Sequence, residues 1–433
     1  MRRNCGVSTT IIRNGRVIDP ANKRDEIANV LIVDGKIAPQ SAIRSPQSEI
    51  EEIDASGLIV APGLIDIHVH LREPGFSHKE TIESGARAAA AGGFTTVVCM
   101  PNTSPAADNP STIAWIKDRA AEAACVNVLP AGTISKNLGG EELAPIGSLA
   151  KAGVVAITDD GHCIQNHEVM RRAVEYARMV DLPVFDHCQD YNLVGNGVVH
   201  EGHWSTLLGL PGWPAAGEEA MVMRNVLLAE LCDHPIHCQH VSTVGSVRLI
   251  REARKRGVKI TGEVCPHHIA LTDKAIENFD TNYKMNPPLR AQPDVDALLE
   301  GIADGTLSIL CSDHAPHADF EKEVEFDVAP FGIIGLETEL GLFIDLLVHK
   351  HARIDIVRLI EMYTVEPARL LKLDAGTLSP GARADFTLID PTLEWTVNVD
   401  QFQSASHNSP FNGWKLRGRA VRTIVGGKTV WKL

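Results

Sequence analysis

The middle of the chain repeats one unit, a short apolar run followed by a polar loop and a stretch with helical periodicity. That repetition limits the available folds more than any other feature. The apolar runs are LIDIHVH, TTVVCMPN, VNVLPAG, GVVAITDDG, LPVFDHC, PIHCQHV, VKITGEVC and LSILCSD. Between them lie segments such as HKETIESGARAAAAGG and HEVMRRAVEYARMV, whose apolar residues recur every three or four positions. Runs that are apolar throughout, rather than alternating, suit parallel strands covered on both faces. Eight such strand–helix units predict an α/β fold, a (β/α)8 TIM-type barrel.

The two ends read differently from the middle and like each other. From Ile11 to Ala61 short alternating runs are broken by Asn14-Gly15, Asp34-Gly35 and Ser56-Gly57, which are hairpin-type turn signals. After Gly376 the same style returns in ADFTLID, EWTVN, AVRTIVGG and KTVWKL. Residues 1–60 and 376–433 are therefore expected to build one composite β domain, with a barrel of residues 61–375 inserted between them.

Charge and cysteine usage narrow the partners. Lys+Arg 41 against Asp+Glu 55 gives a net charge of −14 over 433 residues, which disfavours nucleic acid and anionic membranes, since both attract basic surfaces. The nine cysteines form no CxxC pair. Cys99, Cys188, Cys238, Cys265 and Cys311 sit inside apolar runs and read as buried thiols in a reducing compartment. The opening MRRNCG is not followed by an apolar leader stretch, and no run approaches 18 apolar residues, so a cytoplasmic location is expected.

A barrel places its chemistry at the C-terminal ends of its strands. That is where the unusual polar residues fall: His68 and His70, Asn102, Asp159 and Asp160, His187, His240 and Asp313. In HVH the alternation of strand side chains puts His68 and His70 on one face, about 7 Å apart. Two imidazoles so placed can share a metal, although HxH alone is equally compatible with packed or surface histidine. With His187, His240, Asp160 and Asp313 added, four nitrogen and two carboxylate ligands suit a pair of zinc-like ions with a bridging group. Asp159 competes with Asp160, because only one of two adjacent strand residues faces the lumen.

The runs GLIDIHVHLREPG, GGFTTVVCMPNT, TDDG, DHC, QHVST, PHH, KMNPPLR, SDHAPH and PFG, with SPFNGWKLRG near the C-terminus, closely resemble the dihydroorotase family of the amidohydrolase superfamily. The resemblance implies His68 and His70 on one metal, His187 and His240 on the other, and Asp160 as the bridge. Many superfamily members bridge with a carboxylated lysine. Lys151 lies too far upstream for that, so the match is to bacterial members that use aspartate. Two divalent ions are implied, and zinc is the expectation although the ligands also accept cobalt and manganese. The metals would lower the pKa of water from about 15.7 to about 7, on the order of 12 kcal/mol toward hydroxide at neutral pH.

The implied reaction is the reversible cyclisation of N-carbamoyl-L-aspartate to L-dihydroorotate with loss of water, in pyrimidine biosynthesis. Asp313 would be both a metal ligand and the catalytic proton carrier. Arg72, two residues past His70 and so on the same side of the strand exit, offers a planar fork for the substrate carboxylate. The resemblance adds Asn102 and His317 to that anion site. It also sets Asn286, with the backbone at Phe331 and Gly332, against the ring amide. A homodimer is expected, and association with aspartate transcarbamoylase is left open. Two rivals remain: an allantoinase or hydantoinase, whose substrates lack the carboxylate, and a silent subunit that scaffolds the transcarbamoylase. Retention of every implied ligand argues against silence.

Other signals are set aside. GGKT at 426–429 lacks the leading glycine and following helix of a phosphate loop. His267 and His268 are read as structural or ligand-supporting, since four histidines already serve two metals. Asp66 is read as supporting the ligands from below, His78 as part of a helix start, His162 and His167 as solvated loop residues, and Glu141 and Glu142 as exposed.

Overall fold

A computed structural model describes residues 9–39 and 50–433. The MRRNCG segment, on which the expectation about a leader rests, lies outside the described residues. The first strands are β1 (Thr9–Asp19), β2 (Arg24–Val33), β3 (Lys36–Ala38), β4 (Ile50–Asp54) and β5 (Ile59–Pro62). There follow β6 (Leu64–Val69), β7 (Phe94–Cys99), β8 (Asn127–Pro130) and β9 (Val184–Asp186). A short excursion carries β10 (Val199–His200) and β11 (Gly212–Trp213), which pair with each other. Then come β12 (Ile236–Cys238), β13 (Ile260–Val264) and β14 (Ile309–Leu310), and finally β15 (Phe386–Thr396), β16 (Lys415–Val425) and β17 (Lys428–Lys432).

The terminal strands share one sheet, in the order β17-β16-β15-β5-β1-β2-β3, with β4 on β1. Its join is antiparallel, Phe386 opposite Pro62 through Ile389 opposite Ile59. Ile12, Val17, Val60, Phe386, Leu388 and Ile424 form its apolar face. Asp34 and Gly35 are both left-handed, with φ of 49° and 73°, and turn β2 into β3 as that dipeptide should. Asn14-Gly15 does otherwise: it is a bulge inside β1, not a turn between strands. A side chain at Gly15 would meet Val60 Cγ2 at 2.4 Å, so the glycine serves close strand approach.

The barrel is an α/β wheel. Strands β6-β7-β8 run parallel in one arc and β9-β12-β13-β14 in another. Three isolated bridges close it: Ile157 pairs with Gly132 and with Val184, and Val69 pairs with His314. The fourth expected strand, GVVAITDDG, is thus reduced to an extended crossing with one bridging residue. Its neighbours begin or end in Pro183 and Pro130, whose carbonyls accept from Ile157 and Val155 at 3.2 and 3.1 Å but which have no N–H to return.

The helices cover this wheel as their periodicity predicts. Ile82–Gly92 starts at a Thr81–Ser84 capping box and buries Ala86, Ala88, Ala89 and Ala90, small side chains that let the helix lie close to the strands. His167–Met179 is capped by Asn166, which accepts from Glu168 and Val169. His167 is therefore the exposed first residue of a helix, and His78 precedes a helix that begins only at Ile82. No helix among the described residues is long and apolar enough to cross a membrane.

Candidate active site

Every strand-end residue singled out from the sequence lies on the same end of the wheel, His68 in the last residues of β6 and the others just past β6, β7, β9, β12, β14 or Ile157. A cavity of about 180 Å³ opens there. It is lined by eleven of the twelve candidates: His70, Arg72, Asn102, Asp160, His187, His240, Asn286, Asp313, His317, Phe331 and Gly332. The twelfth, His68, lies beneath, with Nε2 3.3 Å from both Asp160 Oδ1 and Asp313 Oδ1. A larger open cleft of about 850 Å³, lined by Asp319, Lys322 and Glu323 among others, holds none of them.

Asp160 is central to the group. Its Oδ1 is buried without a hydrogen-bond partner, yet stands 3.3 Å from His68 Nε2, 3.6 Å from His187 Nδ1 and 3.9 Å from His240 Nε2. Its Oδ2 is 3.4 Å from His70 Nε2. Asp313 Oδ1 is 3.1 Å from His70 Nε2, and His187 Nδ1 is 2.8 Å from His240 Nε2. Two sets, His68–Asp160–His240 and His68–His70–Asp313, each offer ligand atoms within 4.8 Å of one another. Buried lone pairs facing each other with few protons to share call for a cation between them. An N/O donor set of this kind fits zinc-like ions.

Electrostatics lean the same way. Burial pushes the Asp160 carboxyl up, but His68, His187 and His70 outweigh it and hold the group well below the usual range. For His68 burial opposes the charge, and Asp313, Asp160 and Glu263 overcome it, raising the imidazole well above its ordinary value. Asp159 is excluded from the centre. Its carboxylate accepts from Ile134 N at 2.7 Å, Ser135 N at 3.0 Å and the Ser135 hydroxyl, and burial raises it to about 7. Asp66 accepts from His68 N at 2.9 Å and from Ser312 N and Oγ at 3.2 and 2.5 Å, so it supports the ligand strands from below.

In the lining of the same cavity Arg72 donates Nε to Pro316 O at 3.1 Å, and among the described residues its terminal nitrogens have no hydrogen-bond partner. Burial lowers its pKa to about 10, which leaves it charged at neutral pH. Asn286 Nδ2 donates to Gln189 Oε1 at 3.3 Å, and its Oδ1 is buried without a partner, an acceptor placed for an N–H in the cavity. Two residues expected at the anion site have polar atoms engaged within the protein. Asn102 lines the cavity but turns Oδ1 to His70 Nδ1 at 2.9 Å. His317 commits Nε2 to Phe331 O at 2.7 Å and Nδ1 to Lys79 Nζ at 3.4 Å. It is kept neutral, its pKa lowered to about 2 by burial and by Arg72, so a ligand must exchange one of those bonds to use it. Gly332 likewise has N–H and C=O engaged, by Lys284 O and Asn408 Nδ2.

Residues 57–246 match the family model described as dihydro-orotase-like, and residues 221–431 match that of the amidohydrolase family. A dihydroorotase of Syntrophotalea carbinolica is 51% identical over 98% of this chain and 99% of its own length. One of Pelotomaculum thermopropionicum is 52% identical over 97% and 98%. The chain belongs to the dihydroorotase family. Among solved structures the L-hydantoinase of Arthrobacter aurescens superposes with a TM-score of 0.87 at 25% identity, covering 99% of this chain and 96% of that one. This dihydroorotase-family chain therefore has the amidohydrolase barrel with flanking β-rich segments.

Several residues of this family member's site carry no recognisable sequence signal. Glu263, in the run TGEVC, is fully buried and accepts from His68 Nδ1 at 2.6 Å, His237 Nε2 at 2.9 Å and His240 N at 3.1 Å. Asn408, from the C-terminal segment, accepts from His317 N and donates to Ala315 O and Gly332 O. Gln189 fixes His187 Nε2 at 3.0 Å. Arg72, His240 and Asp313 are left-handed, with φ of 61°, 30° and 46°. Such backbone in non-glycine residues is costly and concentrates where function demands it.

Proposed function

We propose that the protein is a metal-dependent dihydroorotase, a cyclic amide hydrolase that interconverts N-carbamoyl-L-aspartate and L-dihydroorotate in pyrimidine biosynthesis. The observation that carries the residue roles is Asp160 Oδ1, orphaned among imidazoles in a cavity that Arg72 and the unpartnered Asn286 Oδ1 also line. His68 and His70 would hold one divalent ion and His187 and His240 the other, with Asp160 available to both. Asp313 sits beside the first pair. When bound, the ions lower the pKa of water and polarise the amide oxygen.

The chain's own groups do the rest. Arg72 pairs with the substrate carboxylate, and Asn102 and His317 complete that end. Asn286 accepts from the ring N–H, and the turn at Phe331 and Gly332 limits the ring's position. In ring opening Asp313 takes the proton of the attacking water and delivers it to the departing amide nitrogen. In ring closure it runs in reverse: Asp313 takes one proton from the ureido nitrogen as that nitrogen bonds to the carboxyl carbon and hands it to the departing oxygen, which leaves as water with one further proton from solvent. A cavity of about 180 Å³ suits a small polar ring.

In the same reading the ions are zinc and the protein is cytoplasmic and homodimeric, free to associate with aspartate transcarbamoylase. Residues 1–60 and 376–433 form one unit around a barrel of 61–375. Ring opening of dihydroorotate, hydantoin and allantoin, with metal analysis on the same sample, tests the reading. Preference for dihydroorotate with about two ions per chain supports it; preference for a ring without a carboxylate contradicts it.

A further inference from the structure

Among the described residues, only one of the four imidazoles grouped around Asp160 is backed by a carboxylate outside the centre. His70 Nδ1 meets the neutral Asn102 Oδ1 and His187 Nε2 the neutral Gln189 Oε1. His68 Nδ1 meets Glu263 Oε1 at 2.6 Å, both side chains fully buried. The protons in this chain of bonds can be assigned. Thr261 Oγ1 lies 2.8 Å from His237 Nδ1, and Glu263 Oε2 is 2.9 Å from His237 Nε2. A carboxylate only accepts, so His237 donates through Nε2 and receives the threonine hydroxyl at Nδ1. By the same logic a neutral His68, the form a metal ligand takes, keeps its proton on Nδ1 and turns the lone pair of Nε2 toward Asp160 and Asp313. Glu263 Oε1 also accepts the backbone N–H of His240 at 3.1 Å, a residue held at φ of 30°.

We infer that Glu263 is a positioning residue that makes the two metal positions unequal, fixing the tautomer and raising the basicity of His68 so that the ion on His68 and His70 is held more tightly than that on His187 and His240. A carboxylate behind a ligating imidazole fixes its orientation and strengthens it as a donor, typically worth about 10–100-fold in metal affinity. The anchor through His237 and Thr261 stops Glu263 from swinging into the centre, where its charge would compete with Asp160.

The inference rests on the metal reading above, and the two fail differently. If the wild-type protein binds no ions, that reading fails. If it binds two and Glu263 is indifferent, only this proposal fails. Glu263→Gln keeps an oxygen for His68 and His240 and a donor-compatible shape, but removes the charge. Titration of the metal-loaded protein with a chelator, with zinc counted per chain, is expected to show the tighter ion loosened about 10–100-fold and the weaker ion changed less than about threefold. Activity should return when zinc is added back. Equal loosening of both ions, or wild-type affinity for both, overturns the proposal. If Glu263→Gln does not fold, His237→Gln provides the second arm: it removes the anchor, leaves the carboxylate on His68, and should loosen the same ion by a smaller factor, while unchanged affinities overturn the proposal. Nitrogen-15 spectra of the metal-loaded wild-type protein should find the His68 proton on Nδ1; a proton on Nε2 contradicts the assignment.

Discussion

Removing the Arg72 guanidinium should change what the site accepts, not only how fast it works. Arg72 is anchored through Nε to Pro316 O at 3.1 Å, and it lines the cavity beside Asp313 and His317. Its pKa of about 10 keeps it cationic at neutral pH. Breaking a buried ion pair by deleting one partner costs about 3–5 kcal/mol. At about 1.36 kcal/mol per tenfold, Arg72→Ala should lower kcat/KM for dihydroorotate roughly 150- to 5,000-fold. Arg72→Lys keeps the charge but loses the planar fork and the Nε anchor. Losing one charge-assisted hydrogen bond, about 1.5–3 kcal/mol, gives a roughly 10- to 150-fold loss. For dihydrouracil, the same ring without the carboxylate, the wild-type protein leaves a buried guanidinium unpaired, which is how a polar pocket rejects such an analogue. Arg72→Ala should leave that substrate unchanged or improved. The assay is steady-state turnover on both rings with metal occupancy matched between variants. Equal losses on both rings, or near-wild-type turnover of dihydroorotate by Arg72→Ala, would refute the reasoning.

Three further substitutions probe other parts of the site. Asp160→Ala removes the oxygen shared by the imidazoles, so metal content by elemental analysis should fall below two per chain together with activity; two full ions with normal turnover would remove Asp160 from the bridge. Asp313→Asn keeps shape and a ligand oxygen but cannot carry the proton, and kcat should fall about 10²–10⁴-fold with KM and metal content largely kept; a rate within threefold of wild type assigns the proton elsewhere. Gly332→Ala sets a Cβ 2.7 Å from Ala315 O and 2.8 Å from the His317 ring at a φ of 148°. Strain of about 1–3 kcal/mol should appear as a lower denaturation midpoint and a raised KM, and an unchanged midpoint would mean the turn relaxes freely.

The barrel was legible because its strands are continuously apolar and its chemistry sits at one predictable end. HVH at the end of β6 and the polar residues after the other runs are visible in the sequence itself. The fourth strand was the weak point: its composition is strand-like, but Pro130 and Pro183 on either side remove the donors a full ladder needs. The Asn14-Gly15 signal was real but ambiguous, since the same dipeptide serves a bulge where two strands pack closely. At the site, alternation left Asp159 and Asp160 competing, and only the bonds from Ile134 and Ser135 to Asp159 separate them. Glu263 was invisible because one acid in a strand carries no periodic signal; its role exists only through His68, 195 residues away. Asn408 reaches His317 from 91 residues downstream, a contact created by the terminal segment folding back over the barrel.

At the centre of these roles Asp160 would join two ions in a cavity where Arg72 would bind the substrate carboxylate. Crystals grown with carbamoyl aspartate, with anomalous scattering recorded at the absorption edge of the bound metal, test it most directly. The account predicts two peaks, one between His68 and His70 and one between His187 and His240, both touching Asp160, with a substrate carboxylate on Arg72. A single peak, peaks away from Asp160, or a substrate whose carboxylate turns from Arg72 would contradict it.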